Sequence, residues 1–328
     1  MHSIKRGSFI CAALAVALAA MAPLAVTAQE KYPDRPVTIM VGFAPGGGTD
    51  QMARVYARKL GEKLGKPFVT LNREGAGGNL AIQVLSKSTP ADGYTIALGS
   101  DYITSNVALK RNNYDWATEL VPIASVAQWP NVIAVPANSR FKSLGDLIQA
   151  AKQPGVSLTF GSAGVGSSQH LSGEMFNAMA GTKLIHVPYR GAALAEADLI
   201  AGQTDLMFGS VATAMTLAKA GRIKVLAITS LQRHPEFPDI PTVDESGIKG
   251  FNVSPGYYFL APAKTPKPIV EKLSTAILEL SNDTDIKSSL AKMNTLPLNL
   301  DSPQTAEYMK REVVKWQDVV KLTGLKVE

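Results

Sequence analysis

The chain has 328 residues, of which 46% are apolar and 18% charged, and its formal net charge is +6 at pH 7. This length and balance suit a globular protein of one large or two medium domains. The positive charges are scattered singly, without basic runs interleaved with aromatic residues, so the sequence carries no nucleic-acid-binding footprint. A mild positive balance suits an anionic small molecule as partner.

The first 28 residues have the pattern of a secretory signal peptide. Lys5 and Arg6 form a short basic start, and an Ala- and Leu-rich apolar stretch follows at 9–26, broken by Pro23. Small residues then end at Ala28, where a signal peptidase would cut. We therefore predict cleavage after Ala28 and export to the periplasm.

A membrane anchor is the alternative reading of this segment. The apolar run is close to the ~18-residue lower limit for a membrane span. Its proline, its many alanines and the polar Gln29 and Glu30 that follow argue against a span. Cys11 leaves with the signal peptide, so the mature chain is expected to be soluble, to lack disulfides and to depend on a hydrophobic core.

Strand-like apolar runs alternate with helix-like segments along most of the mature chain. The predicted strands lie at 37–43, 68–72, 94–100, 121–127, 131–137, 158–164, 183–189, 205–210 and 223–230. The predicted helices lie at 49–64, 79–88, 142–152, 168–180, 192–202, 211–221, 268–280 and 303–322. This alternation predicts an α/β fold with a parallel sheet covered on both faces, and a ligand beyond the carboxyl ends of the strands.

Two glycine-rich turns occupy that position. FAPGGGTD at 43–50 follows one predicted strand, and GSAGVGSS at 161–168 follows another; each precedes a helix. Helix N-termini carry unpaired N–H donors and a partial positive charge, so they accept an anion without a basic side chain. We interpret the two turns as equivalent sites in two α/β domains that clamp a carboxylate between them.

Nucleotide binding fits these turns poorly. A P-loop needs Gly-Lys-Ser/Thr, whereas Gly48 is followed by Thr49 and Asp50. The glycines of the second turn do not have the Gly-x-Gly-x-x-Gly spacing of a dinucleotide fingerprint, and no acidic residue ends the next strand. A purely structural role, in which the glycines serve only tight turns, remains open.

Several polar residues of the two turns have competing roles. Asp50 suits an N-cap or first-turn carboxylate, and Ser167 and Ser168 can cap the second helix while offering hydroxyls to a ligand. His170 is either a general base beside Ser162, Ser167 or Ser168, or a residue that hydrogen-bonds the adjoining loop; we favour the second. No histidines have metal-ligand spacing, so we predict no metal and no cofactor.

The mature chain resembles the periplasmic receptors of tripartite tricarboxylate transporters, also called Bug receptors. The resemblance rests on ordered motifs along its whole length: YPDRPVTIMVGFAPGGGTD (32–50), NREGAGGN (72–79), PADGYTIALGS (90–100), FGSAGVGSSQHLSGEMF (160–176), HVPYRG (186–191), DLIAGQTDLMF (198–208), LAITSLQRHPEFPDIPTVDESG (226–247) and LAPAKTP (260–266).

This resemblance implies a type II periplasmic-binding-protein fold, with two α/β domains joined by two crossing segments around a ligand cleft. Domain 1 would comprise residues 29–128 and 250–328, and domain 2 residues 129–249. The ligand would be an organic carboxylate. Its contacts, carried over from the family, would fall on Phe43, Ala44, Gly47, Thr49, Asp50, Ser162, Gly164, Ser167 and His170, and further on Ser100, Asp101, Gly209 and Ser210.

Three positions depart from the family pattern. Val165 replaces a frequent Asn, Gly209 a frequent Asp, and Tyr257 follows Gly256 where the family often has Trp-aromatic-Gly. The first two changes remove polar groups near the expected cleft. With Tyr102, Trp129 and Tyr257 as wall residues, the pocket would favour a larger or aromatic carboxylate; the alternative is that these aromatics belong to the core.

From the residues and the resemblance together we predict a monomeric, non-catalytic receptor. It would capture a small organic carboxylate, possible classes being aromatic carboxylates and dicarboxylates, and deliver it to membrane transporter subunits. Two alternatives stay open: an input protein for a sensor, and a periplasmic hydrolase that uses His170 and a nearby serine. An interaction protein that binds no small molecule is a further class.

Overall fold

The computed structural model describes residues 32–325, and from Arg35 onward they form one compact unit. The predicted signal peptide lies outside the described residues. No helix in the described part of the chain is long and apolar enough to cross a membrane. The predicted division into two domains stays a prediction.

Eleven strands and eleven α-helices make up residues 35–325. The strands are β1 Val37–Val41, β2 Phe68–Asn72, β3 Thr95–Ser100, β4 Leu120–Gln128, β5 Asn131–Pro136, β6 Thr159–Ser162, β7 Ile185–Pro188, β8 Leu206–Ser210, β9 Ile223–Ile228, β10 Gly256–Pro262 and β11 Leu296–Leu300. The helices are α1 Gly48–Leu64, α2 Asn79–Ser88, α3 Tyr102–Ala108, α4 Trp116–Glu119, α5 Leu144–Ala151, α6 Ser168–Ala180, α7 Ala192–Ile200, α8 Val211–Lys219, α9 Lys267–Glu279, α10 Thr284–Lys292 and α11 Ser302–Thr323.

The strands form two sheets. Sheet A has the order β11-β4-β10-β3-β1-β2, and sheet B the order β7-β6-β8-β5-β9. The α/β class is confirmed, but the prediction of a parallel sheet was wrong in part. β1, β2 and β3 run parallel, whereas β10 lies antiparallel between β3 and β4, and β5 lies antiparallel between β8 and β9.

Two segments connect the sheets. Trp129 and Pro130 join β4 of sheet A to β5 of sheet B, and residues 229–255 lead from β9 back to β10. Trp129 N donates to Pro255 O at 2.8 Å and joins the two segments directly. Thr229 ties the second segment to the start of β5: its hydroxyl accepts from Asn131 N at 2.7 Å and donates to Val253 O at 2.6 Å. β5 enters sheet B and β10 re-enters sheet A directly after these crossings, and both strands lie antiparallel to their neighbours.

Helix α11 packs against the cores of both sheets. Its first half places Tyr308, Met309 and Val313 in the core of sheet A, with Tyr258 and Ile103 among their neighbours. Its second half places Trp316 and Val319 in the core of sheet B, together with Phe176 and Phe251 among others. An apolar face with helical spacing therefore contributes to two cores at once.

The start signals of two helices agree with the sequence. Ser143 caps α5 in a capping box with Asp146: the Ser143 hydroxyl accepts from Asp146 N at 3.1 Å. Ser167 caps α6 by accepting from His170 N at 3.2 Å. These caps fix where the two helices begin.

Candidate functional site

A cleft of about 520 Å³ lies between the loops of the two sheets. Its wall on the sheet A side comes from the end of β1, the turn after β2, the end of β3 and helix α3. Its wall on the sheet B side comes from the turn after β6 and the start of α6. The residues that line it are Phe43, Ala76, Gly77, Asn79, Ser100, Asp101, Tyr102, Ser105, Asn106, Arg111, Trp129, Ala163, Val165, Gly166, Ser167, Ser168, Leu171, Pro255 and Trp316.

Six of the residues proposed from the sequence line this cleft. They are Phe43, Ser100, Asp101, Ser167, Tyr102 and Trp129. The other ten lie outside its lining: Ala44, Gly47, Thr49, Asp50, Ser162, Gly164, His170, Gly209, Ser210 and Tyr257. The cleft thus draws on both glycine turns, but it meets the first only at Phe43.

Asp50 serves the first glycine turn rather than the cleft. Its side chain is 2% exposed and accepts from Gly46 N at 2.9 Å, from Arg54 Nε at 2.8 Å and from Asn72 Nδ2 at 2.9 Å. Burial by itself would raise the pKa of Asp50, but the hydrogen bonds from Arg54, Gly46 and Asn72 outweigh it and lower the pKa to about 2. Asp50 is a first-turn carboxylate of α1 whose N-cap is Gly47.

His170 has the corresponding role in the second turn. Its Nδ1 accepts from Gly166 N at 3.1 Å, and its Nε2 lies 3.6 Å from Glu174 Oε1. Both ring nitrogens therefore face groups other than a serine hydroxyl. The interpretation that His170 hydrogen-bonds the adjoining loop matches this geometry.

The close serine–histidine pair is Ser162 and His186. Ser162 Oγ lies 2.7 Å from His186 Nε2, and the His186 ring stacks on that of His170 with centroids 3.8 Å apart. Burial, with His170 as a second cause, lowers the pKa of His186 to about 4, so His186 is neutral at pH 7. Ser162 is fully buried, and the pair lies beneath the second turn as a structural support.

Aromatic rings form much of the cleft wall. Phe43 and Tyr102 meet edge to face with centroids 5.2 Å apart, and Trp129 packs on Tyr257 at 4.2 Å. Trp316 completes the wall from α11. Tyr257 itself is buried behind Trp129, at 7% exposure, so of the three predicted wall residues it alone lies outside the lining.

Arg111 is the functional candidate that sequence reasoning missed. It follows α3 in a loop without strong periodicity, and it is the one cationic side chain among the described residues that line the cleft. Its Nη1 donates to Val165 O at 3.3 Å, across the cleft. The signal in the sequence was weak, because a single exposed arginine in a loop looks like any solvated charge.

Asp101 lies at the buried end of the lining. Burial raises its pKa well above the ordinary value, and the nearby Glu312 adds to this effect. The raised pKa favours the protonated, uncharged form of the Asp101 carboxyl. Among the described residues no group of three or more His, Cys, Asp or Glu side chains could hold a metal ion.

Two mixed α/β sheets joined by two crossing segments, with a cleft between their loops, define a protein of the periplasmic-binding-protein class. Comparison with known proteins makes this specific. The family model described as "Tripartite tricarboxylate transporter family receptor" matches residues 52–325. The chain belongs to this family, so the resemblance predicted from the motifs is confirmed.

Relatives from bacteria agree with the assignment. The chain is 36% identical to the "UPF0065 protein in tcbD-tcbE intergenic region" of Pseudomonas sp. (strain P51), over 89% of this chain and 87% of that protein. It is 32% identical to "Protein BugT" of Bordetella pertussis, over 97% of this chain and 98% of that protein.

Solved structures show the same fold. Rpa4515 of R. palustris, solved with adipate, has a TM-score of 0.77 and 34% identity, covering 90% of this chain and 99% of its own. MatC (Rpa3494) of Rhodopseudomonas palustris, solved with bound malate, has a TM-score of 0.74 and 29% identity, covering 88% and 100%. The predicted type II periplasmic-binding-protein fold is thereby confirmed.

Proposed function

We propose that this chain is a periplasmic solute-binding protein that captures a small organic carboxylate and delivers it to a tripartite tricarboxylate-type membrane transporter. The observation that carries the proposal is the cleft between the two sheets. Its volume of about 520 Å³ is in the range of small-ligand sites, and it combines aromatic walls with a few polar groups. Family membership and relatives solved with adipate and malate support the same class of ligand.

The electrostatics of the lining favour an anion. Arg111 contributes a positive charge, and Ser167 and Ser168 lie at the N-terminus of α6, where backbone N–H groups lack helical partners. Asp101 is the one acidic side chain in the lining, and the rise in its pKa favours its uncharged form. A carboxylate in the cleft therefore meets several donors and, with Asp101 protonated, no negatively charged side chain of the lining.

The hydrolase alternative has less support. His170 uses its Nδ1 for Gly166, and Ser162, which contacts His186, is buried away from the cleft. A nucleophile must reach its substrate, and Ser162 cannot do so in this arrangement. We therefore keep binding, without chemistry on the ligand, as the function.

A binding experiment tests the proposal. The chain from residue 29 onward is titrated calorimetrically with adipate, L-malate, citrate, phthalate and nicotinate, with adipamide as the uncharged control. We expect saturable binding of at least one carboxylate and a thermal midpoint raised by roughly 5 °C at ~100 times its Kd, which corresponds to about 2.7 kcal/mol. Binding of adipamide as tight as that of adipate, or turnover of a carboxylate ester, would contradict a carboxylate receptor.

Location and transport are tested in cells. Fractionation of the source bacterium should recover the chain from the periplasm, with an N-terminus at residue 29. Deletion of its gene should abolish uptake of the radiolabelled carboxylate that binds, and a plasmid copy should restore it. Uptake that is unchanged, together with loss of a transcriptional response to the ligand, would favour the sensor alternative.

A further inference from the structure

We propose that Arg111 is the residue that recognises the ligand's carboxylate, and that in this chain the carboxylate lies against the second glycine turn rather than the first. The inference rests on the proposed function, because it names which part of the same cleft holds the charged group. Four observations carry it: the support of Arg111, the space at Gly166, the position of the first turn outside the cleft lining, and an unpaired donor elsewhere in the lining.

The backbone of Arg111 is held by other residues of the lining. Arg111 N donates to Asn106 O at 2.8 Å, and Arg111 O accepts from Asn79 Nδ2 at 3.5 Å. Asn79 is fixed in turn by the hydroxyl of Tyr114, which donates to its Oδ1 at 2.8 Å. These hydrogen bonds hold the Arg111 backbone in place, while its side chain extends into the cleft.

The Arg111 guanidinium reaches across the cleft and has further N–H donors available for a ligand. One of its five N–H groups is directed at Val165 O, 3.3 Å away, which leaves the others for a ligand. A carboxylate can accept two parallel N–H bonds from a guanidinium, and such charge-assisted pairs are among the stronger hydrogen bonds in proteins. Arg111 can therefore contact Val165 and hold a carboxylate in the same arrangement.

Gly166 provides the space for this approach. A Cβ at this position would lie 2.8 Å from Arg111 Nη1, and the residue has φ +82°, in the region that favours glycine. Ser167 and Ser168 follow directly and also line the cleft. A carboxylate at Arg111 is therefore next to two hydroxyls and the start of α6.

The first glycine turn lies outside the cleft: residues 44–48 are exposed, and the Tyr257 side chain lies against the start of α1. A Cβ on Gly48 would lie 2.7 Å from the hydroxyl of Tyr257, and the Thr49 side chain neighbours that hydroxyl. Thr49 is 8% exposed, and residues 44–50 are absent from the cleft lining. The Tyr257 hydroxyl thus lies at the N-terminus of α1, where an anion would otherwise bind.

Another donor in the lining has no partner. Trp316 is 1% exposed, and its indole Nε1 makes no hydrogen bond within the described part of the chain. A buried N–H without an acceptor costs free energy, so an oxygen of a bound molecule would satisfy it. A ligand with its carboxylate at Arg111 and a further oxygen acceptor for Trp316 fits both donors.

Paired substitutions test this assignment. The wild type, Arg111→Gln, Arg111→Lys, Thr49→Val and the control Arg222→Gln are titrated with the carboxylate of the panel that binds the wild type most tightly. Arg222 is an exposed arginine outside the cleft lining. We expect Arg111→Gln to weaken binding 10- to 100-fold, the range for losing a charge-assisted hydrogen bond. Arg111→Lys should retain part of the affinity, and Thr49→Val and Arg222→Gln should change it less than threefold.

A charge readout separates recognition from a merely structural effect. Arg111→Gln should also lower the ratio of the Kd for adipamide to the Kd for adipate. Its thermal midpoint without ligand should stay within about 2 °C of the wild type, since the side chain is exposed. Affinity retained within threefold in Arg111→Gln, or a tenfold loss in Thr49→Val, would overturn the assignment. If the wild type binds no carboxylate, the proposed function itself fails, which is a distinct result.

Discussion

Asp50 and His170 are structural equivalents in the two glycine turns. Each is the third residue of its helix, and each accepts a hydrogen bond from a backbone N–H four residues upstream, from Gly46 at 2.9 Å and from Gly166 at 3.1 Å. A carboxylate in one turn and an imidazole in the other thus accept the equivalent hydrogen bond. The internal repetition predicted from the sequence therefore extends to the hydrogen bond that closes each turn.

Asp50→Asn should destabilise the protein in a pH-dependent way. The folded pKa of about 2 lies below the ordinary value of 3.8, so the carboxylate's contribution is complete above about pH 4 and is lost as the pH falls towards 2. At pH 7 we expect a loss of about 2 kcal/mol in urea denaturation. The difference from the wild type should shrink at pH 3.

The control for this experiment is Glu271→Gln, which removes an exposed carboxylate paired with the exposed Lys267. It should change the free energy of unfolding by no more than ~0.5 kcal/mol, because exposed pairs contribute little. A difference between Asp50→Asn and the wild type that stays constant from pH 7 to pH 3 would contradict the hydrogen-bonded carboxylate described here.

His170→Leu should loosen the second turn, and His170→Asn should do so less. Leucine removes the acceptor for Gly166 N, whereas asparagine offers a side-chain oxygen in its place. A neutral hydrogen bond contributes about 1 kcal/mol, so we expect ligand affinity to fall about fivefold in the leucine variant. Faster amide hydrogen exchange at Gly166 in that variant, measured by NMR, would accompany the loss. Equal affinities in all three proteins would show that the turn does not need this bond.

His186 should make the protein less stable in mild acid. Its pKa in the folded state, about 4, is below the ordinary value of 6.5, so the unfolded chain binds more protons between these values. The contribution of neutral His186 to the free energy of unfolding is complete above about pH 6.5 and is lost as the pH drops towards 4. The thermal midpoint of His186→Gln should therefore vary less with pH in this window than that of the wild type. Parallel curves for the two proteins would argue against a half-buried His186 that is neutral in the folded state.

Thr229→Val should weaken the connection between the second crossing segment and the start of β5. The fully buried hydroxyl bonds Asn131 N and Val253 O, and valine would leave both groups without this partner. Unpaired buried polar groups cost about 1–3 kcal/mol each, so we expect a loss of about 2–4 kcal/mol in the free energy of unfolding. The matched control is Thr216→Val: the exposed Thr216 hydroxyl donates to Ala212 O of its own helix, and its loss should hardly change the free energy of unfolding. If both variants changed the free energy of unfolding by a similarly small amount, the Thr229 hydroxyl would not be a stabilising connection.

Much of the fold could be predicted because hydrophobic periodicity and caps act locally. Helix 49–64 was predicted, and α1 begins one residue earlier, at Gly48. β11 and α10 were not predicted. For β11 the reason is local too: Pro297 within it resembles a loop residue, and only alternate positions of this strand are partly buried. The antiparallel position of β10 could not be derived from periodicity, because it depends on a return of the chain from sheet B to sheet A.

The site was harder to predict than the fold. Glycines at strand-to-helix turns indicated where a ligand could approach, and the cleft does meet the second turn at Val165 to Ser168. The side chain that lies against the first turn is Tyr257, which is more than 200 positions later in the chain, so no local pattern signals the contact. Arg111 likewise gains its significance from Val165, on the other sheet.

The position of β10 has a consequence for the order of folding. Sheet B uses only strands from the contiguous segment 131–228, so its pairings can form early and over short loops. Sheet A has β10 between β3 and β4, and it cannot be completed until residues near the carboxyl end of the chain are present. Because closing long loops slows folding, sheet A should be the later of the two to become protected from amide exchange during refolding.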